Sequence, residues 1–518
     1  MFYFDISQHT CLKKKLSALF LFLFSVLSIN GYAQVAGKNT PLEIVFASEA
    51  EVVNQKDNQY TKLLGSVKMK QDKTILECDS AFFYDKENRV EAFSNVRINH
   101  NDSVWITGQH LIYNGNSKLA ELDGNVKLWD NSMSLSTSQL DYDMNLQYGY
   151  YNQGGEIIST SGTLTSKYGY YYARTRDFYF KKEVAFVNPE YTMTSDTLLY
   201  NTGSKKVSFF GSADIKSAKD RILCDRGWYD TKTDITQLSG KPVLFSDRRM
   251  LEADSLFYNR RTKFGRGIKN FHLFDSTQKL HVYGSFAQTN GLKGYTYVTG
   301  TPFVFRSDGK DSLFIFADTI AVFQKQKLQK EYIQAYRRVK IFQKEIQVVT
   351  DSLVYLSDDS CISLFYSPIM WNGENQISAD TIRFYLKNNA IDSFRLLSDA
   401  FLVSKEKGIH FNQIKGRMMA GKLDSSRIRD LFVSGNCQSI HYEKEDSLHY
   451  IGINVIDCGE MNFRFQSGKL NSAAFFNNPD ATLYPPDELK PEDLKLKGFR
   501  WLPQLRPQKP DKDILKKK

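Results

Sequence analysis

Asp79, Asp196, Asp225, Asp254, Asp318, Asp351 and Asp380 recur along the chain, and all but Asp225 are followed by Ser or Thr. A carboxylate column has two chemical uses, a ladder of calcium sites or pairs of catalytic acids. Calcium-binding β-rolls place several Asp in one nine-residue unit, whereas steps of 29 residues separate Asp196, Asp225 and Asp254. The column therefore reads as a turn or edge device. Gly416-Arg417-Met418-Met419-Ala420-Gly421-Lys422 matches most of a phosphate-binding loop, but Leu423 replaces the Ser or Thr that would hold magnesium. The eight histidines form no HExxH and no close pair, so neither a metal site nor a cofactor is expected. Arg260, Arg261, Lys263, Arg266, His272 and His281 gather in one irregular stretch with Asp275. An exported β-helix polysaccharide-active enzyme would set its acid and base on neighbouring rungs there, but carboxylates are scarce. No catalytic residue is assigned, and a surface scaffold is the other alternative. Tyr148-Gly149-Tyr150-Tyr151 and Tyr168-Gly169-Tyr170-Tyr171 are able to stack on sugars, yet such doublets are also ordinary strand formers.

The elements that carry these residues repeat. Tyr84, Tyr113, Tyr142, Tyr171, Tyr200, Tyr229 and Tyr258 are spaced 29 residues apart at every step. A second column runs through Val67, Val96, Val126, Val184, Ala213 and Pro242. Asn, Asp and Gly clusters such as Asn99-His100-Asn101-Asp102 and Asn114-Gly115-Asn116 punctuate each unit as turns. Apolar and polar residues alternate between them, as in Val126-Lys127-Leu128, and no window sustains a helical period. One short unit cannot bury its own apolar face, and a stack of units makes a continuous one. The fold class expected is all-β, an elongated stack of short antiparallel strands.

Lys13-Lys14-Lys15 followed by the apolar run from Leu16 to Ile29, with small residues up to Ala33, has the three parts of a secretory signal peptide. Fourteen apolar residues are too few to span a hydrocarbon core of about 30 Å, and no later run of the mature chain is long enough for a spanning helix. Export to the periplasm and cleavage before Gln34 are expected. Five cysteines then remain, Cys78, Cys224, Cys361, Cys437 and Cys458, with no CxxC. An odd number leaves at least one unpaired, and whether Cys437 and Cys458 join is left open. At 42% hydrophobic and 24% charged residues the chain is globular, not disordered. Its net charge of +10 invites a nucleic-acid reading, but basic and acidic residues interleave along the body, so no nucleic-acid partner is expected.

Leu122-Asp123-Gly124-Asn125-Val126-Lys127-Leu128 and Asp196-Thr197-Leu198-Leu199-Tyr200 resemble the repeats of the OstA-like family, which includes the lipopolysaccharide-transport bridge protein LptA and the periplasmic N-terminal domain of LptD. The segment from Tyr484-Pro485-Pro486 to Pro507 resembles the long Bacteroidetes-type members. The resemblance implies a V-shaped, solenoid-like OstA/LptA β-jellyroll that carries lipopolysaccharide by its lipid A acyl chains. The implied organisation is a leader at 1–33, an OstA-like array at 34–300, divergent repeats at 301–480 and a Pro-rich charged tail at 481–518. The apolar repeat columns Val67, Phe82, Val96, Leu111, Val126, Leu140, Leu198 and Leu256 are the candidate lipid-binding residues. Leu42, Ile44 and Phe46 form the candidate partner edge, where another OstA-like or Lpt sheet would add by β-augmentation.

Overall fold

A computed structural model describes residues 40–511, except 56–57, 131–132, 308–310, 325–330, 388–389, 407, 409, 425–426, 445–448, 467–468, 486–487 and 491. The expected leader, 1–33, lies outside the described residues. The fold is all-β: among the described residues 38 strands form one sheet in which every pairing is antiparallel. The expected OstA-like β-jellyroll class holds.

Each 29-residue unit is two strands of about eleven residues, and the family-like motifs explain how they bend. In the pair Leu119–Trp129 and Met133–Asp143, register runs from Leu119↔Asp143 to Asp123↔Gln139, breaks, and resumes at Val126↔Thr137. Gly124 and Asn125 fill the break with φ of 78° and 53°, a left-handed pair that turns the strand through a corner. A side chain at Gly124 would collide with Gln109 on the neighbouring strand, at 2.7 Å. Ser94-Asn95, Lys182-Glu183 and Lys269-Asn270 repeat the same left-handed pair at other corners. Every long strand thus belongs half to a first arm and half to a second, and the interior lies between the arms. The aspartate column sits at these corners. Asn95 donates to Asp79 at 2.8 Å, Asn270 to Asp254 at 2.9 Å, and Gly211 has no room for a Cβ because Asp196 stands 2.5 Å away.

The tips of the first arm are locked into a row. The amide of Met144 donates to Lys118 O, Ala173 to Gln147 O, Thr202 to Arg176 O, Thr231 to Lys205 O, Arg260 to Asp234 O and Gly291 to Lys263 O, all at 2.9–3.1 Å. Each repeat adds two strands to each arm, an advance of about 9.6 Å.

The tail is not a loose appendage. Beyond the last strand, Asp480–Tyr484, it turns back across the outer surface of the second arm. Three buried glutamines hold it: Gln413 donates to Leu494 O and accepts from Leu496 N, Gln376 donates to Arg500 O and accepts from Leu502 N, and Gln347 accepts from Arg506 Nε. The inward neighbours Val348 and Ile377 lie in the core between the arms, so the glutamines face outward and are buried by the tail. Leu489, Leu494 and Leu496 cover Ile440, Tyr442 and Ile453, and Phe499 and Trp501 pack on Phe411.

Candidate functional site

The interior changes character along its length, and the tyrosine column from Tyr113 onward records it; Tyr84 is one residue out of register and faces outward, Phe83 taking the inward place. Tyr113 and Tyr142 are 2% and 1% exposed and Tyr171 is buried. Tyr200 and Tyr229 are half-buried, and Tyr258, at the equivalent position, is 44% exposed. A continuous core runs from Leu42 to Leu238; the arms close over it as far as Tyr171, and beyond that it persists as a floor beneath half-buried lips. A second continuous core runs from Ala317 to Phe463. Between them only Phe271, Ala287 and Val298 form a buried cluster, close to the corner. Towards the lips of this central section, Tyr191, Val207, Ile215, Ile222, Leu251, Leu273, Val282 and Val304 are half-buried. They face inward, since their neighbours Phe209, Ala213 and Cys224 on the same strand faces lie in the core.

The arms therefore stand apart in the middle of the array and meet at both ends. A cavity of about 240 Å³ opens in the central section, floored by Met193, Phe209 and Leu238 and walled by Tyr191, Val207, Ile215, Ile222, Tyr229 and Tyr258. Glu190, Asp220, Asp234 and Arg260 stand at its mouth. Tyr229 donates to Asp234 at 2.9 Å, and burial followed by the Asp234 contact pushes its phenol up to about 12, so it stays neutral.

The eight candidate lipid-binding residues fall into three groups. Val67, Val96, Leu111, Val126 and Leu140 face inward in the closed first section. Leu198 and Leu256 face inward beside the opening. Phe82 points to the outer face, against Tyr60 at 5.1 Å and Phe93 at 5.4 Å. At the candidate edge, the strand Glu43–Phe46 pairs, among the described residues, on one side only, with Asn58–Gln71. Leu42 is buried, whereas Ile44 and Phe46 are 42% and 53% exposed.

Other residues singled out by type do not converge. Gly416–Lys422 lies inside the strand Phe411–Asp424 and offers no phosphate loop. Arg260, Arg261 and Lys263 occupy a first-arm tip, while His272 and His281 lie on the outer face of the second arm, His272 Nδ1 sharing a hydrogen bond with Glu252 at 2.8 Å and its Nε2 with His281 at 3.0 Å. The stretch that looked irregular is two well-paired strands, Phe264–Asp275 and Leu280–Asn290. Tyr148, Tyr150, Tyr170 and Tyr172 cluster on the outer face of the first arm. No group of metal-ligating side chains occurs among the described residues. Cys437 and Cys458 are direct cross-strand partners and are free thiols.

The corner motif decides the relationship, because the corners at Gly65-Ser66, Ser94-Asn95, Gly124-Asn125 and Lys182-Glu183 lie within a stretch, residues 40–196, that matches the family model described as OstA-like protein. Residues 40–196 are OstA-like. No curated protein matches the chain. The match stops inside the strand Tyr191–Asn201, but the two-strand unit and its corners continue to Ser434 and Cys437. The two-strand architecture thus extends well past the matched residues, and the open central section begins near the end of the match. No helix among the described residues is long and apolar enough to cross a membrane.

Proposed function

We propose that this OstA-like protein binds lipopolysaccharide in the periplasm and passes it toward the outer membrane, holding lipid A acyl chains between its two arms in the central section. The observation that carries the reading is the parted, apolar interior between two closed cores. Each buried methylene contributes about 0.8 kcal/mol, so several chains fully enclosed would not be released. A groove left open along its lips buries one side of a chain and lets it leave. Leu198 and Leu256 face inward beside this section. The inward columns at Val67, Val96, Leu111, Val126 and Leu140 would meet acyl chains only if the first section parts as well. The exposed strand edge at Ile44 and Phe46 is the docking point for a neighbouring OstA-like sheet by β-augmentation.

Photo-reactive residues introduced in living cells test the reading. Probes at Tyr200, Tyr229 and Tyr258 are expected to form lipopolysaccharide adducts, and probes at Tyr113 and Tyr142 are not. Absence of adducts at all three central positions sinks the proposal. For the edge, Ile44→Pro is expected to remove partner binding while circular dichroism stays nearly unchanged, and normal binding by that variant would exclude the edge.

A further inference from the structure

The net charge of +10 is not spread evenly over the surface. Five successive first-arm tip loops, 173–176, 202–205, 231–234, 260–263 and 291–294, flank the central section. They carry Arg174, Arg176, Lys205, Lys232, Arg260, Arg261, Lys263 and Lys293 against a single acid, Asp234, an excess of 8 − 1 = +7. The same row beside the closed first section, loops 85–88, 115–118 and 144–147, carries Lys86 and Lys118 against Asp85 and Glu87, which cancel. At 357–360, beside the second closed core, the row carries Asp358 and Asp359 and no basic residue. The basic loops thus coincide with the stretch where the arms part.

The excess is also one-sided. On the opposite lip, loops 188–190, 218–219, 247–248 and 276–279 carry Lys219, Arg248 and Lys279 against Glu190 and Asp247, close to balance. The backbone hydrogen bonds between successive tips fix the basic loops in one line about 9.6 Å apart. Among the described residues, Arg261 alone of the eight lies within ion-pair distance of a carboxylate, Asp234 at 2.9 Å. Arg174 donates to Asn145 O, and none of the other six cations has an ion-pair partner among the described residues. Arg260 also reaches the mouth of the cavity, so acyl groove and cation meet at one residue.

We infer that the first-arm lip from Arg174 to Lys293 is an anion-recognising rail for the phosphate-bearing head group of a multi-acyl lipid whose chains lie in the central groove, an inference that rests on the proposed function above. The ligand then has one orientation: its head group leans over the first arm, and its chains enter beneath Arg260. Phosphates at rung spacing meet equivalent cations, so the head group exchanges partners along the line without ever losing all of them.

The test uses the full chain and three probes: bis-phosphorylated lipid A, the same lipid with both phosphates removed, and the acyl-free glucosamine disaccharide bisphosphate. The rail variant is Lys205→Glu, Arg260→Glu, Lys263→Glu and Lys293→Glu combined, with a milder version carrying Gln at the same four positions. The control reverses Lys219 and Lys279 on the other lip. The rail variants are expected to weaken binding of phosphorylated lipid A by at least about tenfold and to flatten its salt dependence, with dephosphorylated lipid A bound as by the native chain. The opposite-lip control should change neither. Equal loss for both lipids, equal loss in the control, or a native affinity indifferent to phosphate and salt would each overturn the rail while leaving the groove standing. Tight binding of the acyl-free bisphosphate would reassign the rail to a soluble phosphate ligand. If the native chain binds neither lipid, the groove reading fails and the rail with it.

Discussion

Tyr113 and Tyr142 occupy the same position in successive repeats, and the structure gives their hydroxyls opposite consequences. Both rings are buried between the arms. The Tyr113 hydroxyl donates to Gln71 Oε1, while Gln71 Nε2 donates to Thr40 O and Gly115 O, tying the tip row to the start of the chain. The Tyr142 hydroxyl is buried with no hydrogen-bond partner. Burial, followed by the charge of Asp143, pushes that phenol up to about 12, so the group is neutral at any working pH. Burying an unpaired hydroxyl costs about 1–3 kcal/mol, and a made hydrogen bond contributes about 1 kcal/mol, with a further penalty for the partner left behind. Tyr142→Phe keeps the ring against Gly149 and removes the penalty, so the variant should be more stable by about 1 kcal/mol. Tyr113→Phe leaves the Gln71 carbonyl buried and unanswered, and should be less stable by about 1–2 kcal/mol. A repeat array is not a two-state system, so amide hydrogen exchange over the strands Val104–Asn114 and Met133–Asp143 is the suitable readout. Slower exchange in one variant and faster exchange in the other are expected. A shift of the same sign in both would refute the assignment of the two hydroxyls.

Cys437 and Cys458 sit directly opposite each other in an antiparallel pair, where Cα separations of about 4.5–5.5 Å suit a disulfide. Oxidation of the folded chain by dissolved oxygen with a copper catalyst should join these two, and peptide mapping that finds Cys78, Cys224 or Cys361 bridged instead would contradict the register. Gln376→Ala removes both hydrogen bonds to the tail at Arg500 and Leu502; limited proteolysis should then cut between 485 and 511 several-fold faster, and unchanged cleavage would rule out the latch. Burial pulls the pKa of His110 down, but hydrogen bonds to the carboxylates of Asp123 at 2.9 Å and Glu91 at 3.2 Å outweigh it and hold the value above that of a free histidine. Its stabilising contribution is therefore complete below about pH 6.5 and is lost as pH rises through the raised value. The stability gap between the native chain and His110→Gln should narrow across that range, and a gap that widens would reverse the sign.

Much of the fold is written in the sequence because each requirement of the corner falls on a particular residue type. Gly124-Asn125 supplies the left-handed pair, Val126 the first inward residue beyond it, and Asp196 the side chain that faces the next corner at Gly211. The closed and open sections were harder to tell apart, because the tyrosine at each repeat is the same whether its neighbours cover it or not. The available signal lies one strand away. The inward residue paired with Tyr113 and Tyr142 is Ala120, whereas Thr236 stands between Tyr229 and Tyr258, although the apolar Val207 still separates Tyr200 from Tyr229. The outward turn of Phe82 follows from strict alternation with the buried Ala81 and Phe83, which a period of two specifies only once the register is known. The basic lip escaped a linear reading because its residues lie about 29 apart and are interleaved with acids that the fold sends elsewhere. The tail carries no repeat at all, and its path depends on glutamines at 347, 376 and 413 that sequence alone gives no reason to consider buried.

In a linear stack each repeat touches its neighbours alone, so either end can fray without the middle noticing. The tail changes this for one end only. Residues 494–506 are bonded in succession to strands that begin near Gln413, Gln376 and Gln347, contacts that reach back as far as 159 positions in the sequence. Those rungs must come apart together, or the tail must leave first, which makes the C-terminal third a single cooperative unit. Among the described residues the N-terminal edge at Glu43–Phe46 has only short ties, from Thr40 and Leu42 to Gln71, Asp72 and Asn88, so opening there involves only the first few strands. The tail follows these strands in the chain, so the C-terminal third gains its full cohesion only once residues 494–506 are in place, whereas Glu43–Phe46 pairs with Asn58–Gln71 without them.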